Sequence, residues 1–427
     1  NLEIYIIVFI LITCLLFYYF SLNKFLIFDF KFSLLLFIFA VILMGLLLNI
    51  VYKGTASVPD KTKKTDFFIC AVLFIFAFVF RYYRLNQIPP GIPYDTEGLS
   101  LIMTSRIFHN IMPPFYLNEG VYKITSVYNY LQSLWINLTG NIELQSIRLF
   151  SVILGSLTVA VFYFFIKELF NRKVAVIASI LLILYLPHII ISRLAWLWVL
   201  GPFFCVIAFY LLFLGIRKNN PAIIGLSGVF TGFGLYFYSS SYVVPIVIIT
   251  FILLYNIKNF NNNIKYLILY LIPLLLTSLP ILIFMIKDPN AYILQRTSQE
   301  SIFKLIKNPV EIFSTNILIK RYLDYLIMLI TKSSSWGYFN YPDLPLLNNI
   351  FSYFFILGLG VILFNWKNYN YFFMLLTLFI GIFPGVFYIH PYDPSPYRVN
   401  MIALSVPAIA SIGIVTIWEV LKKINIF

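Results

Sequence analysis

The chain has 427 residues, 61% of them hydrophobic and only 11% charged, with a formal net charge of +14. Water-soluble domains run nearer 45–50% apolar and about 25% charged, so a soluble fold could not hide this much apolar surface. The basic residues are scattered between apolar runs rather than gathered in a patch, which excludes nucleic-acid binding as the meaning of the charge.

Apolar runs of about 17–25 residues recur along the chain, the length that crosses about 30 Å of hydrocarbon as a helix. They predict an all-α, polytopic membrane bundle with about twelve spans. In chain order these are 4–20, 32–52, 67–83, 147–169, 173–191, 195–216, 222–238, 242–257, 264–285, 350–364, 371–388 and 399–421. The first run, Leu2 to Phe20, has neither a basic leader nor an Ala-x-Ala site, and reads as a retained helix rather than a signal peptide. Residues 1–66 form two additional spans and a basic loop, and 67–427 form the core. Cys14, Cys70 and Cys205 lie inside apolar runs, at spacings that suit neither a disulfide framework nor zinc.

Orientation follows from the short connections. With the N-terminus cytoplasmic, the inner connections carry 14 Lys and Arg, whereas the short outer ones carry four: Lys24, Lys31, Arg193 and Arg398. Both chain ends are then cytoplasmic, and a plasma membrane is the expected location. Two connections, 84–146 and 286–349, are too long for turns, and both fall on the outer face. Within the first, 97–109 sets Leu99, Ile102, Met103 and Ile107 on one helical face. Segment 124–138, with Val127, Tyr130, Leu131, Leu134 and Trp135, predicts a second helix. Both are expected to lie in the membrane interface.

The most informative stretch is Arg81-Tyr-Tyr-Arg-Leu-Asn-Gln-Ile-Pro-Pro-Gly-Ile-Pro-Tyr-Asp-Thr-Glu-Gly98. It leaves a span, turns through Pro89, Pro90, Gly91 and Pro93, and delivers Asp95 and Glu97 to the outer surface on a stiffened backbone. Asp95 serves equally as the N-cap of the helix that follows, and a cap can also act as a base.

This stretch resembles the first outer loop of the GT-C glycosyltransferases that use a polyprenyl-phosphate sugar, such as protein O-mannosyltransferases and lipid A aminoarabinose transferases. An acidic motif follows the first core helix there. Arg148-Leu-Phe-Ser-Val-Ile-Leu-Gly-Ser-Leu-Thr, Leu186-Pro-His-Ile-Ile-Ile-Ser-Arg193, Gly232-Phe-Gly-Leu-Tyr-Phe-Tyr238 and Tyr397-Arg398 resemble later landmarks of that family, in the same order. The resemblance covers roughly 67–421. The chain departs from it twice: the acidic pair is split as Asp-Thr-Glu, and Lys123-Ile-Thr-Ser-Val-Tyr-Asn-Tyr-Leu131 stands where the family has a Pro-Pro-Leu element.

The resemblance implies transfer of a sugar from a polyprenyl phosphate to a hydroxyl on a protein, a lipid glycan or a wall polymer. Such a reaction needs a base for the hydroxyl proton and fixed cations for the leaving phosphate. Asp95 and Glu97 are the candidate catalytic carboxylates. Lys123, Arg148, Arg193 and Arg398 are the candidate phosphate ligands, each equally able to snorkel to headgroups, and Arg148 equally able to pair with Glu143. No cofactor is expected, although Asp95 and Glu97 offer hard oxygens suited to Mg²⁺ or Mn²⁺. His109, His188 and His390 lie near the outer surface. The competing function is a transporter or flippase of a lipid-linked sugar, which is expected to place polar residues at the bilayer midplane.

Overall fold

A computed structural model describes residues 62–92, 95–111, 126–254, 260–287, 317–331, 344–387 and 394–423. The predicted spans 4–20 and 32–52, Lys123 and His390 lie outside the described residues, as does the side chain of Asp95.

Every span predicted after residue 62 is helical. α1 (Lys64–Tyr82) leads into α2 (Asp95–Phe108) and α3 (Val127–Thr139), the two helices expected at the interface. The bundle continues with α4 (Leu144–Leu169), α5 (Arg172–Leu184), α6 (Leu186–Arg193), α7 (Leu200–Lys218), α8 (Pro221–Gly234), α9 (Val243–Leu254) and α10 (Phe260–Lys287). Beyond these come the short α11 (Ile317–Ile327), then α12 (Asn349–Phe364), α13 (Tyr369–Val386) and α14 (Ser405–Lys423). Among the described residues, six helical stretches are long and apolar enough to cross a membrane, seven if α5 and α6 count as one bent span, and three shorter apolar ones accompany them. The chain is an integral membrane protein. The end of the bundle that carries α2 and α3 is called the loop end below.

Two predicted spans differ in detail. The expected helix 173–191 is broken, with α5 and α6 bent 60° apart. Pro187 stands at the start of α6, where it removes an N–H and would clash with the carbonyl four residues back in a continuous helix. The last predicted span begins as a 3₁₀ turn, Pro396–Leu404, with Val399 non-helical, before α14 proper. Similar 3₁₀ turns, Leu197–Val199 and Ser239–Tyr242, precede α7 and α9 at the same end of the bundle.

Among the described spans, α14 with its 3₁₀ lead-in is the most enclosed, with 78% of its apolar stretch buried, whereas α1 and α10 have 22% buried and form the rim. Between lipid-soluble helices the driving force is close packing, which small residues permit. A Cβ at Gly358 of α12 would run into the Ile409 carbonyl of α14, and one at Gly413 into the Phe354 carbonyl, so each helix is notched for the other's backbone. Phe373 of α13 joins three further helices: its ring lies 4.8 Å from those of Phe209 and Phe213, 5.0 Å from Phe251 and 6.1 Å from Phe165. At the end away from the loops, Asp66 gathers the Tyr163 hydroxyl at 2.7 Å, Arg172 Nε at 2.8 Å and Lys167 Nζ at 3.1 Å, so its buried charge is paired.

The faces that α2 and α3 turn to the protein follow their apolar residues only in part. Ser100, Met103, Thr104 and Ile107 of α2 are buried, while Ile102 is 53% exposed. On α3 the buried face is Tyr128, Asn129, Gln132, Ser133 and Ile136, while Leu134 points outward. The seam between the two helices is therefore polar. Thr104 Oγ1 donates to Gln132 Oε1 at 2.7 Å, Asn129 Nδ2 to Ser100 Oγ at 2.8 Å, and Gln132 Nε2 to the Tyr128 hydroxyl at 3.0 Å. The Tyr128 hydroxyl in turn meets Ser151 Oγ of α4 at 2.9 Å. Satisfied bonds of this kind fix one orientation of the pair, leaving Ile102, Leu134 and Leu138 to face the lipid side.

Candidate active site

The proline-rich stretch after α1 is held chiefly by Arg148, with Arg193 as a second anchor. Arg148, in the first turns of α4, is fully buried and spends every donor it has. Its Nη1 donates to the carbonyls of Leu85 at 3.3 Å and Pro89 at 3.0 Å, and its Nη2 to that of Gly91 at 2.6 Å. The remaining two donors, Nε and Nη2, reach Glu97 Oε1 at 2.9 Å and Oε2 at 2.7 Å. A guanidinium has five N–H donors, and all five are engaged. Gly91, at φ +64°, makes the turn that brings its carbonyl inward.

Glu97 is only 1% exposed, and its Oε1 also accepts the backbone N–H of Ala195 at 2.9 Å. The carboxylate thus ties three segments together: the first turn of α2, the start of α4 and the connection after α6. The sequence reading made Glu97 a catalytic carboxylate and Arg148 a phosphate ligand, with Glu143 as its other possible partner. The structure puts Glu97 and Arg148 on each other, which leaves the guanidinium no donor for a phosphate. Nor is Glu97 a good cation ligand. Three of its roughly four lone-pair directions are occupied, and a guanidinium lies along both oxygens.

Arg193 closes α6 and reaches back to the same loop. Its Nη2 and Nε donate to the Ile88 carbonyl at 2.8 and 3.3 Å, and its Nη1 to the Arg81 carbonyl at 2.7 Å. Among the described residues its hydrogen-bond partners are carbonyls only. Arg81, buried in the last turn of α1, sends Nη2 to His188 Nδ1 at 2.9 Å. Arginine only donates, so Nδ1 accepts and the imidazole carries its proton on Nε2. His188 is thus buried within the loop end of the bundle, whereas His109 is exposed beside Phe108.

The connection after α6 then carries two indoles inward. Trp196 and Trp198 are 6.1 Å apart, edge to face, and the Trp198 ring stacks on that of Tyr397 at 5.2 Å. Tyr397 begins the last arm of the site. Its hydroxyl accepts from Arg398 Nε at 3.2 Å, and the guanidinium carbon lies 5.5 Å from its ring centre. Arg398 is 3% exposed, so it does not snorkel freely into the headgroups. Chain contacts therefore run from Glu97 through Ala195, Trp196 and Trp198 to Tyr397 and Arg398, joining residues far apart in sequence at the loop end.

Arg81, the Ala195 amide, Trp198 and the polar seam of α2 and α3 escaped the sequence reading. Arg81 alone had a signal, a cation placed one turn inside the end of an apolar run. The others are ordinary residues until the fold brings them together.

Residues 125–284, or 160 of the 427, match the family model described as dolichyl-phosphate-mannose-protein mannosyltransferase. The matched stretch includes Arg148, Arg193 and Tyr238; Asp95, Glu97 and Arg398 lie outside it. A search of curated proteins finds no match. Among solved structures, the archaeal oligosaccharyltransferase AglB from Archaeoglobus fulgidus, in complex with an inhibitory peptide and a dolichol-phosphate, superimposes with a TM-score of 0.53 at 13% identity. That alignment covers 85% of this chain and 51% of the archaeal one. The apo form of the Archaeoglobus fulgidus oligosaccharyltransferase gives 0.54 at 12% identity over 86% and 51% of the two chains. Its complex with Zn and sulfate gives 0.52 at 14% over 84% and 50%. The chain thus spans about half the length of the solved proteins it matches, and at these identities the likeness is one of fold, the GT-C fold expected from the sequence.

Proposed function

We propose that this chain is a membrane glycosyltransferase. It moves a sugar from a polyprenyl-phosphate donor to a hydroxyl-bearing acceptor at the loop end of the bundle, which faces outward. The observation that carries this reading is the Glu97–Arg148 clasp, because it anchors the first turn of α2, and Asp95 is the first residue of that helix. A carboxylate presented from a fixed backbone can reach an acceptor proton without first paying to be ordered. The family description of residues 125–284 names a dolichyl-phosphate sugar, and the archaeal relative in fold holds a dolichol-phosphate, which supports a lipid-phosphate donor for this chain as well.

In this reaction Asp95 takes the acceptor hydroxyl's proton as the oxygen attacks the anomeric carbon. The bond from that carbon to the phosphate oxygen breaks, and its electron pair leaves with the lipid phosphate. The growing negative charge falls to Arg193 and Arg398, with Lys123 as a third candidate. Arg148 takes no part in binding, since its donors are spent. No step needs a metal ion, and Glu97 is ill-suited to hold one.

The transporter reading is weaker on this fold. The described spans confine their ionisable side chains to their first or last two turns, as with Asp66, Arg81, Arg148, Lys167 and Arg193. A midplane ion or substrate site is what a transporter would need. The test is transfer from radiolabelled polyprenyl-phosphate sugars in membranes, scored by sugar and by acceptor, with Asp95→Asn beside the parent. Asparagine caps helices about as well as aspartate, so the protein level should hold. Transfer should fall by at least about 10²-fold, the scale of general-base catalysis. Transfer at the parent rate would reduce Asp95 to a cap.

A further inference from the structure

The three 3₁₀ turns at the loop end meet at one side chain. Asn400, in the turn Pro396–Leu404, is 4% exposed. Its Oδ1 accepts from Ser240 Oγ of the turn Ser239–Tyr242 at 2.6 Å, and its Nδ2 donates to the carbonyl of Trp198, in the turn Leu197–Val199, at 3.4 Å. An aromatic ring in or beside each turn also reaches the junction. Trp198 stacks on Tyr397, Trp198 meets Tyr238 at 5.8 Å, and Tyr238 lies 6.3 Å from Tyr397. Gly201, at the head of α7, lies close against the junction: a Cβ there would come within 2.8 Å of Met401 Cε and 3.1 Å of Ser241 Oγ.

We infer that Asn400 is the positioning residue for Arg398, fixing the arm that carries the guanidinium against the two neighbouring turns. The arm needs such a lock. Its backbone between Arg398 and Asn400 leaves helical geometry at Val399 (φ −116°, ψ 28°), so no continuous helical ladder sets the direction of Arg398. The direction comes instead from the amide of Asn400 on one side of Val399 and from the Tyr397 hydroxyl on the other. Both anchors end on Trp198, one at its backbone and one at its ring, and Trp198 belongs to the connection whose Ala195 amide is held by Glu97. Asn400 touches neither donor nor acceptor in this scheme; it acts through Arg398. The inference rests on the proposed role of Arg398 at a lipid phosphate.

The experiment measures binding of a short-chain polyprenyl phosphate to the purified full chain in nanodiscs, for the parent, Asn400→Leu, Ser240→Ala, Arg398→Lys and the double variant Asn400→Leu/Arg398→Lys. Thermal unfolding of each serves as a folding control. Arg398→Lys should weaken binding roughly tenfold by losing a bidentate grip. Ser240→Ala should weaken it about fivefold, the scale of one lost hydrogen bond, and Asn400→Leu, which loses two, by at least as much. The double variant should bind no worse than Arg398→Lys alone, because a positioning residue has nothing left to position. Should Asn400→Leu bind as the parent does, or its loss add in full to that of Arg398→Lys, Asn400 is a packing residue and the inference falls while the proposed function stands. If Arg398→Lys binds as the parent does, the inference falls with the role given to Arg398. If the parent binds no polyprenyl phosphate, the donor reading fails as well. Ser240→Ala keeps the test decisive should Asn400→Leu fold poorly, since it deletes one hydroxyl and leaves the arm's own sequence intact.

Discussion

Replacing Glu97 by Gln changes one oxygen to an NH₂ group and removes one charge, yet the structure makes this a severe substitution. Glu97 accepts three hydrogen bonds, from Arg148 Nε at 2.9 Å, Arg148 Nη2 at 2.7 Å and the Ala195 amide at 2.9 Å. A glutamine can keep its carbonyl oxygen toward Arg148 Nε and Ala195, but its NH₂ then faces Arg148 Nη2, donor against donor. Arg148 would be left as a buried cation with only carbonyl partners. Removing one member of a buried ion pair costs about 3–5 kcal/mol, and both members here are at most 1% exposed, so solvent screening gives no relief. The reciprocal change, Arg148→Met, strands the carboxylate at comparable cost. Changing both, Glu97→Leu with Arg148→Met, removes the two charges together and should cost much less than the sum of the single changes, because an apolar pair of similar volume is often neutral in place of a buried ion pair. Pro89 and Gly91 are at least partly exposed, so their carbonyls can turn outward to water, whereas the Leu85 carbonyl and the Ala195 N–H lose buried partners and keep part of the cost. The assay is denaturant unfolding of purified protein in mixed micelles, followed by tryptophan fluorescence. Transfer should remain low in the double variant, because the loop and the first turn of α2 have lost their common anchor. Single variants that unfold with the parent, or a double variant whose cost equals the sum, would refute the clasp as the element that sets Asp95 in place.

Two further outcomes are expected. In a cysteine-free background, Thr96→Cys should react with an impermeant thiol reagent applied outside intact cells, and Thr62→Cys only after the membrane is opened. The reverse labelling would invert the orientation and remove the site from the outer face. Gly358→Val should abolish folding or lower the membrane protein level several-fold, since the new Cβ meets the Ile409 carbonyl, a backbone atom that cannot move aside. A normal level and melting temperature would show that α12 and α14 are not held at that contact.

How legible the molecule is in its sequence depends on the range of the interaction that decides each feature. Hydrophobic length sets a span, and the residues that determine it are neighbours in the chain. The ranges predicted for α1, α4, α10, α12 and α13 therefore agree with the structure to within a few residues. Local chemistry also placed the start of α2 at the end of the proline-rich stretch. It did not foresee the break at Pro187, because membrane helices often keep a proline when neighbours satisfy the freed backbone, and the neighbours are a tertiary matter. The apolar faces assigned to α2 and α3 were real, but periodicity reports that a helix is two-sided, not which side meets protein and which meets lipid. Only the partner helix decides that, and here Ser100, Thr104, Asn129 and Gln132 find one another across the seam.

The candidate site divides in the same way. Composition and the scarcity of charge determined that any ionisable residue beside an apolar run merited notice, and Asp95, Glu97, Arg148, Arg193 and Arg398 were all legible on that ground. Their roles were not. Glu97 and Arg148 are 51 residues apart in the chain, and Arg193 reaches a carbonyl 105 residues away. A charged side chain in a sequence shows only that it must find a partner. Whether that partner is another side chain, a backbone carbonyl or a ligand is settled by what the folded chain puts within 3 Å of it, which no local pattern encodes.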